Sequence, residues 1–125
     1  MNPTTNRSPN QNPNLQWDVF QATLELIRSL RVPLGQLSTK DADLVGQIRR
    51  AASSIGLNLS EGKRRTGKDR VHHWRIAAGS AEEVRGSLLI AEAWGHVDSK
   101  AVAPCLELLD RICAMLHRMT HAPAR

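Results

Sequence analysis

Apolar residues recur along this chain at helical spacing in four separate stretches. In the first, Leu15, Val19, Phe20, Leu24, Ile27 and Leu30 predict a helix from about Leu15 to Val32. Pro33 is expected to stop or kink it, because proline has no N–H and restricts the residue before it. Ser38, with Asp41 three residues on, reads as the cap of a second helix over Thr39 to Glu61. Its seam is Leu44, Ile48, Ala51/Ala52, Ile55 and Leu59, and Gly62 is placed to end it in the left-handed conformation. Thr66 and Asp69 repeat the capping pattern before a third helix, Gly67 to Trp94, closed by Gly95. The fourth, capped by Asp98 or Ser99, carries the most regular stripe: Val102, Cys105, Leu109, Ile112, Leu116 and Met119 step by 3, 4, 3, 4, 3. Pro104 is tolerable there only if the helix begins close before it.

Short links between four helices predict an all-α, antiparallel up-down-up-down four-helix bundle over residues 14–120. Neither a strand pattern nor an internal repeat is present. The Asn/Pro/Thr/Ser-rich stretch 1–13 is expected to lack fixed structure, and 121–125 forms a short C-terminal tail.

Two stretches exceed what a simple bundle needs. Helices two and three carry Ala51, Ala52, Gly56, Ala77, Ala78, Gly79, Ala81 and Gly86. Glycine inside a helix costs about 1 kcal/mol relative to alanine. Close approach of backbones is the physical reason, within one chain or between subunits. Helix three is also apolar on more than one side: Trp74, Ile76, Leu88, Leu89, Ile90 and Trp94 cannot share one seam. Self-association follows as the expectation.

Charge is concentrated rather than spread. The chain is +5 overall. Between Gly46 and Arg75, eight Lys or Arg stand against Glu61 and Asp69, while the remainder holds nine cations against ten acids. Lys63, Arg64, Arg65 and Lys68 fill the turn between helices two and three, and Arg70, His72, His73 and Arg75 continue along helix three. A cationic turn at a helix N-terminus is suited to phosphate, so nucleic acid is the expected partner. The bland alternative is a solvated loop balanced by acidic neighbours. With three Trp, one Phe and no Tyr, base stacking is not expected. Arg49 and Arg50 lie mid-helix and are read as ion-pairing with Glu61, Glu82 or Glu83, within or between subunits. Asn58 and Glu61 are read as capping or interface groups.

No catalytic constellation is legible. There is no P-loop, dinucleotide-binding glycine pattern or HExxH, so no cofactor or enzymatic activity is expected. His117 and His121 stand four apart, but two ligands do not make a metal site. Cys105 and Cys113 on one helix would lie about 12 Å apart along its axis, too far for a disulfide. Free thiols and the absence of a signal peptide or membrane-length apolar run suggest a cytoplasmic protein.

The run Gln47-Ile48-Arg49-Arg50-Ala51-Ala52-Ser53-Ser54-Ile55, continued by Asn58-Leu59-Ser60-Glu61-Gly62, resembles the signature of the S23-type proteins encoded in intervening sequences of large-subunit ribosomal RNA genes. The run from Arg75 to Val84 and the pair Trp94-Gly95 are similar to their third helix. The chain departs from the pattern at Gly56, where proline is common, and at Ser60, where alanine is. The resemblance spans about Trp17 to Met119. It implies an antiparallel bundle assembling as a homopentameric ring. Through a related branch, the accessory proteins of diversity-generating retroelements, it also implies contact with nucleic acid and with a reverse transcriptase. The same residues therefore leave two readings open: nucleic-acid binding through the basic turn, or an adaptor docking an acidic protein.

Overall fold

The computed structural model describes residues 14–121. They form four helices and, among the described residues, no strand: α1 Leu15–Leu37, α2 Ala42–Lys63, α3 Gly67–Ala93 and α4 Ser99–Thr120. The links are residues 38–41, 64–66 and 94–98. Each helix packs on two neighbours, α1 on α2 and α4, α3 on α2 and α4. The expected bundle is therefore the observed one.

The α4 stripe is buried at all six predicted positions. Leu108 and Met115 widen it. Ile48, Ala51, Ala52, Ile55 and Leu59 of α2 and Trp74, Ala77, Ala81, Val84, Leu88 and Ala91 of α3 complete the core. In α1 the buried stripe is Leu15, Val19, Ala22, Leu26, Leu30 and Leu37. Leu26 was absent from the predicted face, and Ile27 points outward instead.

Both prolines lie inside helices. Helix α1 continues through Pro33 to Leu37. An interior proline costs about 3 kcal/mol, and burial of Leu30, Pro33 and Leu37 on one face offsets it. Pro104 is the sixth residue of α4, beyond the turn where its missing N–H would be harmless.

Several caps differ from expectation. Ser38 ends α1, its hydroxyl donating to the Gly35 carbonyl at 3.0 Å. Asp41 is the N-cap of α2 and accepts from the Leu44 N–H at 3.0 Å. Thr66 precedes α3 but makes no side-chain cap bond. Gly67 and Gly95, with φ of 58° and 76°, are the positions where the chain needs glycine's left-handed freedom.

Gly62 is not such a position. It lies buried inside α2, where an added Cβ would fall 2.7 Å from Trp74 Nε1 and 2.8 Å from Cδ1. The close approach anticipated for Gly56, Gly79 and Gly86 is realised here instead. At Gly79 and Gly86 an added Cβ would meet nothing within 4 Å, and at Gly56 only ordinary contacts. Opposite outcomes follow for one substitution. Gly62→Ala should destabilise the fold by about 1–3 kcal/mol, because the buried Trp74 ring cannot move aside freely. Gly79→Ala should stabilise the isolated subunit by about 0.5–1 kcal/mol. Urea unfolding of both variants, with the slope unchanged, measures the difference.

Candidate nucleic-acid interface

The end of α2, the link 64–66 and the first turns of α3 bring the predicted cations together, but not all of them face solvent unengaged. Lys63, Arg64, Arg65 and Lys68 are exposed. Arg65 holds Glu61 at 2.8 Å and approaches Asp69 at 3.8 Å, and Arg64 lies 3.9 Å from Glu61. Lys63 and Lys68 make no ion pair among the described residues. Arg75 is exposed two turns beyond Lys68 along α3.

Arg70 has another occupation. Its Nε donates to the Gly62 carbonyl at 3.0 Å and its Nη2 to the Lys63 carbonyl at 3.1 Å. These are terminal carbonyls of α2 that lack helical partners. The guanidinium also sits 5.6 Å from the centre of the Trp74 ring. Arg70 therefore closes α2 and fixes the angle at which α3 leaves it. It shapes the site from beneath.

Glu61 balances the turn. A hydrogen bond from Arg65, aided by the nearby cationic charge, holds its carboxyl below the usual 4.5. Arg49 and Arg50 do not pair with it, nor with Glu82 or Glu83, inside the chain. Both are exposed, without an ion-pair partner among the described residues. Gln47 reaches Glu83 instead, at 3.3 Å.

Asn58 joins helices. Its Nδ2 donates to the Ser54 carbonyl at 3.0 Å and to the Ser54 hydroxyl at 3.1 Å. Its Oδ1 lies 3.1 Å from His73 Nδ1, which therefore donates. Ser80 extends the ladder by donating to Ser54 at 2.9 Å. This half-buried polar seam fixes α2 against α3 and so fixes the turn between them. Ala77 and Ala81 are fully buried and Ala78 packs against the core, whereas Gly79 faces outward.

The remaining candidate chemistry is structural. Arg85 bridges α3 to α4 through Asp110 at 2.6 Å, and this bond holds its guanidinium firmly protonated. Burial pushes the Cys105 thiol up to about 11, so it is protonated at neutral pH. Cys113, half-buried, is also free and shifted upward by burial. His117 and His121 stack with ring centres 4.1 Å apart. Among the described residues no three metal-ligating side chains cluster, and no helix is long and apolar enough to cross a membrane.

One feature beside the turn carries no sequence signal. Trp17 and Phe20, on the first turns of α1, stack with ring centres 6.5 Å apart. With Gln16, Leu59, Ser60 and Lys63 they line a cavity of about 190 Å³. Two aromatic residues three apart look like core until neighbouring helices show which side is covered.

Comparison with known proteins adds to this geometry. No curated protein matches the chain. A solved structure of a protein of unknown function from the S23 ribosomal protein family, from Bacteroides thetaiotaomicron VPI-5482, superposes with a TM-score of 0.74. It is 19% identical, and the match covers 83% of this chain and 99% of that one. At that identity it shows the shared fold. The family model described as 23S rRNA-intervening sequence protein matches residues 16–118, from the first turn of α1 to the last of α4. With all four helices matched over nearly their whole length, and the links and signature block inside that span, the chain belongs to the 23S rRNA-intervening sequence protein family.

Proposed function

We propose that this is a non-enzymatic, self-assembling protein that binds nucleic-acid phosphates through the turn between α2 and α3. The observation that carries the reading is the grouping of exposed Lys63, Arg64 and Lys68 on a turn held rigid by Arg70 and by the Asn58–His73 seam. The first backbone N–H groups of α3 lie on the same turn with no cap from Thr66, and their partial positive charge adds to the site. Contacts of this kind are electrostatic and only weakly sequence-dependent.

Self-association enters through α3. Ile76, Leu89, Ile90 and Trp94 are exposed on its outer side. A homopentameric ring, as the family resemblance implies, would repeat the basic turn on one rim. Phosphate contacts would then multiply without new chemistry.

The test is binding to a labelled RNA or DNA duplex across a range of salt. Log affinity should fall linearly with log salt, with a slope reflecting several phosphate contacts. A flat salt response would sink the reading. An acidic protein such as a reverse transcriptase would dock on the same cations. Stoichiometric protein, with no nucleic acid, in the purified assembly would favour that adaptor role.

A further inference from the structure

From the cavity beside the basic turn we infer a pocket for an unpaired nucleobase, with Trp17 as its stacking surface and Lys63 as its link to the phosphate path. The inference rests on the nucleic-acid reading above and makes it specific to single-stranded or unpaired segments.

Four observations converge. First, Trp17 is 59% exposed although it sits on the first turn of a core helix, its ring stacked against Phe20. A large ring held open to water by a second aromatic is a platform that a planar ligand can cover.

Second, the cavity of about 190 Å³ has an apolar floor, Phe20 and Leu59, and a polar rim, Gln16, Ser60 and Lys63. An apolar slot edged by a few hydrogen-bonding groups is the form that small planar ligands select.

Third, the Gln16 side-chain oxygen is buried and receives no hydrogen bond. An acceptor left without a donor is costly, and because Gln16 lines the slot, a small rotation of its side chain would offer that oxygen to the exocyclic amine of adenine, cytosine or guanine.

Fourth, Lys63 belongs to both surfaces. It lines the cavity and opens the run Lys63-Arg64-Arg65. A strand whose phosphates follow the turn therefore passes the mouth of the pocket. One base can leave the strand and cover Trp17 while its backbone stays on the cations. Aromatics are scarce in the composition, yet Trp17 and Phe20 are gathered at the end of the bundle that carries the turn. Their placement reverses the expectation that base stacking is absent.

The experiment is fluorescence anisotropy on the full chain with labelled oligo(A) and oligo(U), as RNA and as DNA, and with a duplex of the same length. Wild type should bind oligo(A) more tightly than oligo(U), since uracil has no exocyclic amine. Trp17→Ala should weaken single-strand binding roughly tenfold and leave duplex binding within about twofold. Trp17→Phe should retain most of the single-strand affinity. Trp17 is largely exposed, so its replacement leaves the core intact, and far-UV circular dichroism with the unfolding midpoint verifies this. If Trp17→Ala lowers single-strand and duplex binding equally, or neither, the pocket is overturned while the phosphate reading stands. If Lys63→Glu/Arg64→Glu leaves both kinds of binding unchanged, the phosphate reading fails and takes the pocket with it. RNA and DNA binding alike would assign recognition to base and phosphate. A gap confined to RNA would add a 2′-hydroxyl contact to the same pocket.

Discussion

Replacing Lys63, Arg64 and Arg65 together by Glu should reduce affinity for duplex nucleic acid by about two orders of magnitude at low salt and flatten its salt dependence. Each reversal exchanges a cation that attracts phosphate for an anion that repels it. The slope of log affinity against log salt should fall by about 2–3 per turn engaged. The three positions will not contribute equally. Lys63 makes no ion pair among the described residues, whereas Arg65 already holds Glu61 at 2.8 Å. Lys63→Glu alone should therefore cost more binding than Arg65→Glu alone. Lys63→Gln/Arg64→Gln removes charge without adding repulsion and should lie between wild type and the triple variant. All four variants should retain their helical circular dichroism, because the changed side chains are exposed.

Acid should act on the same turn in the opposite direction. Glu61 is more acidic in the folded chain than the usual 4.5, because its ionised form accepts the Arg65 hydrogen bond. Its contribution to stability is fully present above 4.5 and is lost as pH falls through its lower folded value. Across that same interval the turn gains net positive charge, so affinity for phosphate should rise while stability declines. In Arg65→Glu the carboxyl loses its donor, and the transition should move up toward 4.5.

The helices were legible because their signals are local and periodic. The α4 stripe from Val102 to Met119 needs no knowledge of its neighbours, since a 3-4 step can bury only one face. Where tertiary contact overrides local preference, the sequence misleads. Pro33 is a stop signal taken alone, yet burial of Leu30 and Leu37 carries α1 through it. Gly62 has the spacing of a helix terminator. Its use becomes visible only when Trp74, twelve residues later and on another helix, occupies the space where a side chain would be. The site shows the same division. Clustering of Lys63, Arg64, Arg65 and Lys68 is contiguous and readable. The loss of Arg70 to the Gly62 and Lys63 carbonyls, and the arrival of Trp17 beside Lys63, depend on how α1, α2 and α3 meet.

The outer face of α3 supports a second large effect. Ile76, Gly79, Glu83, Gly86 and Ile90 step by 3, 4, 3, 4, a mostly exposed seam that α2 reaches at the Gln47–Glu83 hydrogen bond. Two glycines on that seam have open space around them, so their helical cost of about 1 kcal/mol each brings nothing to the lone subunit. Under the proposed self-assembly, a partner surface would account for both the apolar exposure and the glycines. On a different side of the bundle, Ile27, Leu30, Leu34, Val45 and Ala52 line a groove of about 450 Å³ between α1 and α2, with Arg31 and Arg49 at its rim. The α3 seam carries exposed Glu83 and is flanked by exposed Glu82. An acid-flanked apolar ridge matches an arginine-rimmed apolar groove. Ridge and groove lie on separate faces, so a pairing between them would be head-to-tail and would close into a ring when the rotation allows. Ile90→Arg should then convert the assembly to free subunits in native mass spectrometry, since a charge buried in an apolar contact weakens each interface by roughly 30-fold or more. Arg31→Glu/Arg49→Glu should do the same from the groove side, and Glu82→Arg/Glu83→Arg from the ridge side. Combining the four reversals in one chain should restore assembly. A face-to-face pairing of α3 with α3 predicts no effect from the groove variant, so that one measurement separates the two arrangements. Loss of the ring should also lower nucleic-acid affinity with Lys63, Arg64 and Lys68 untouched, because the turns would then act singly.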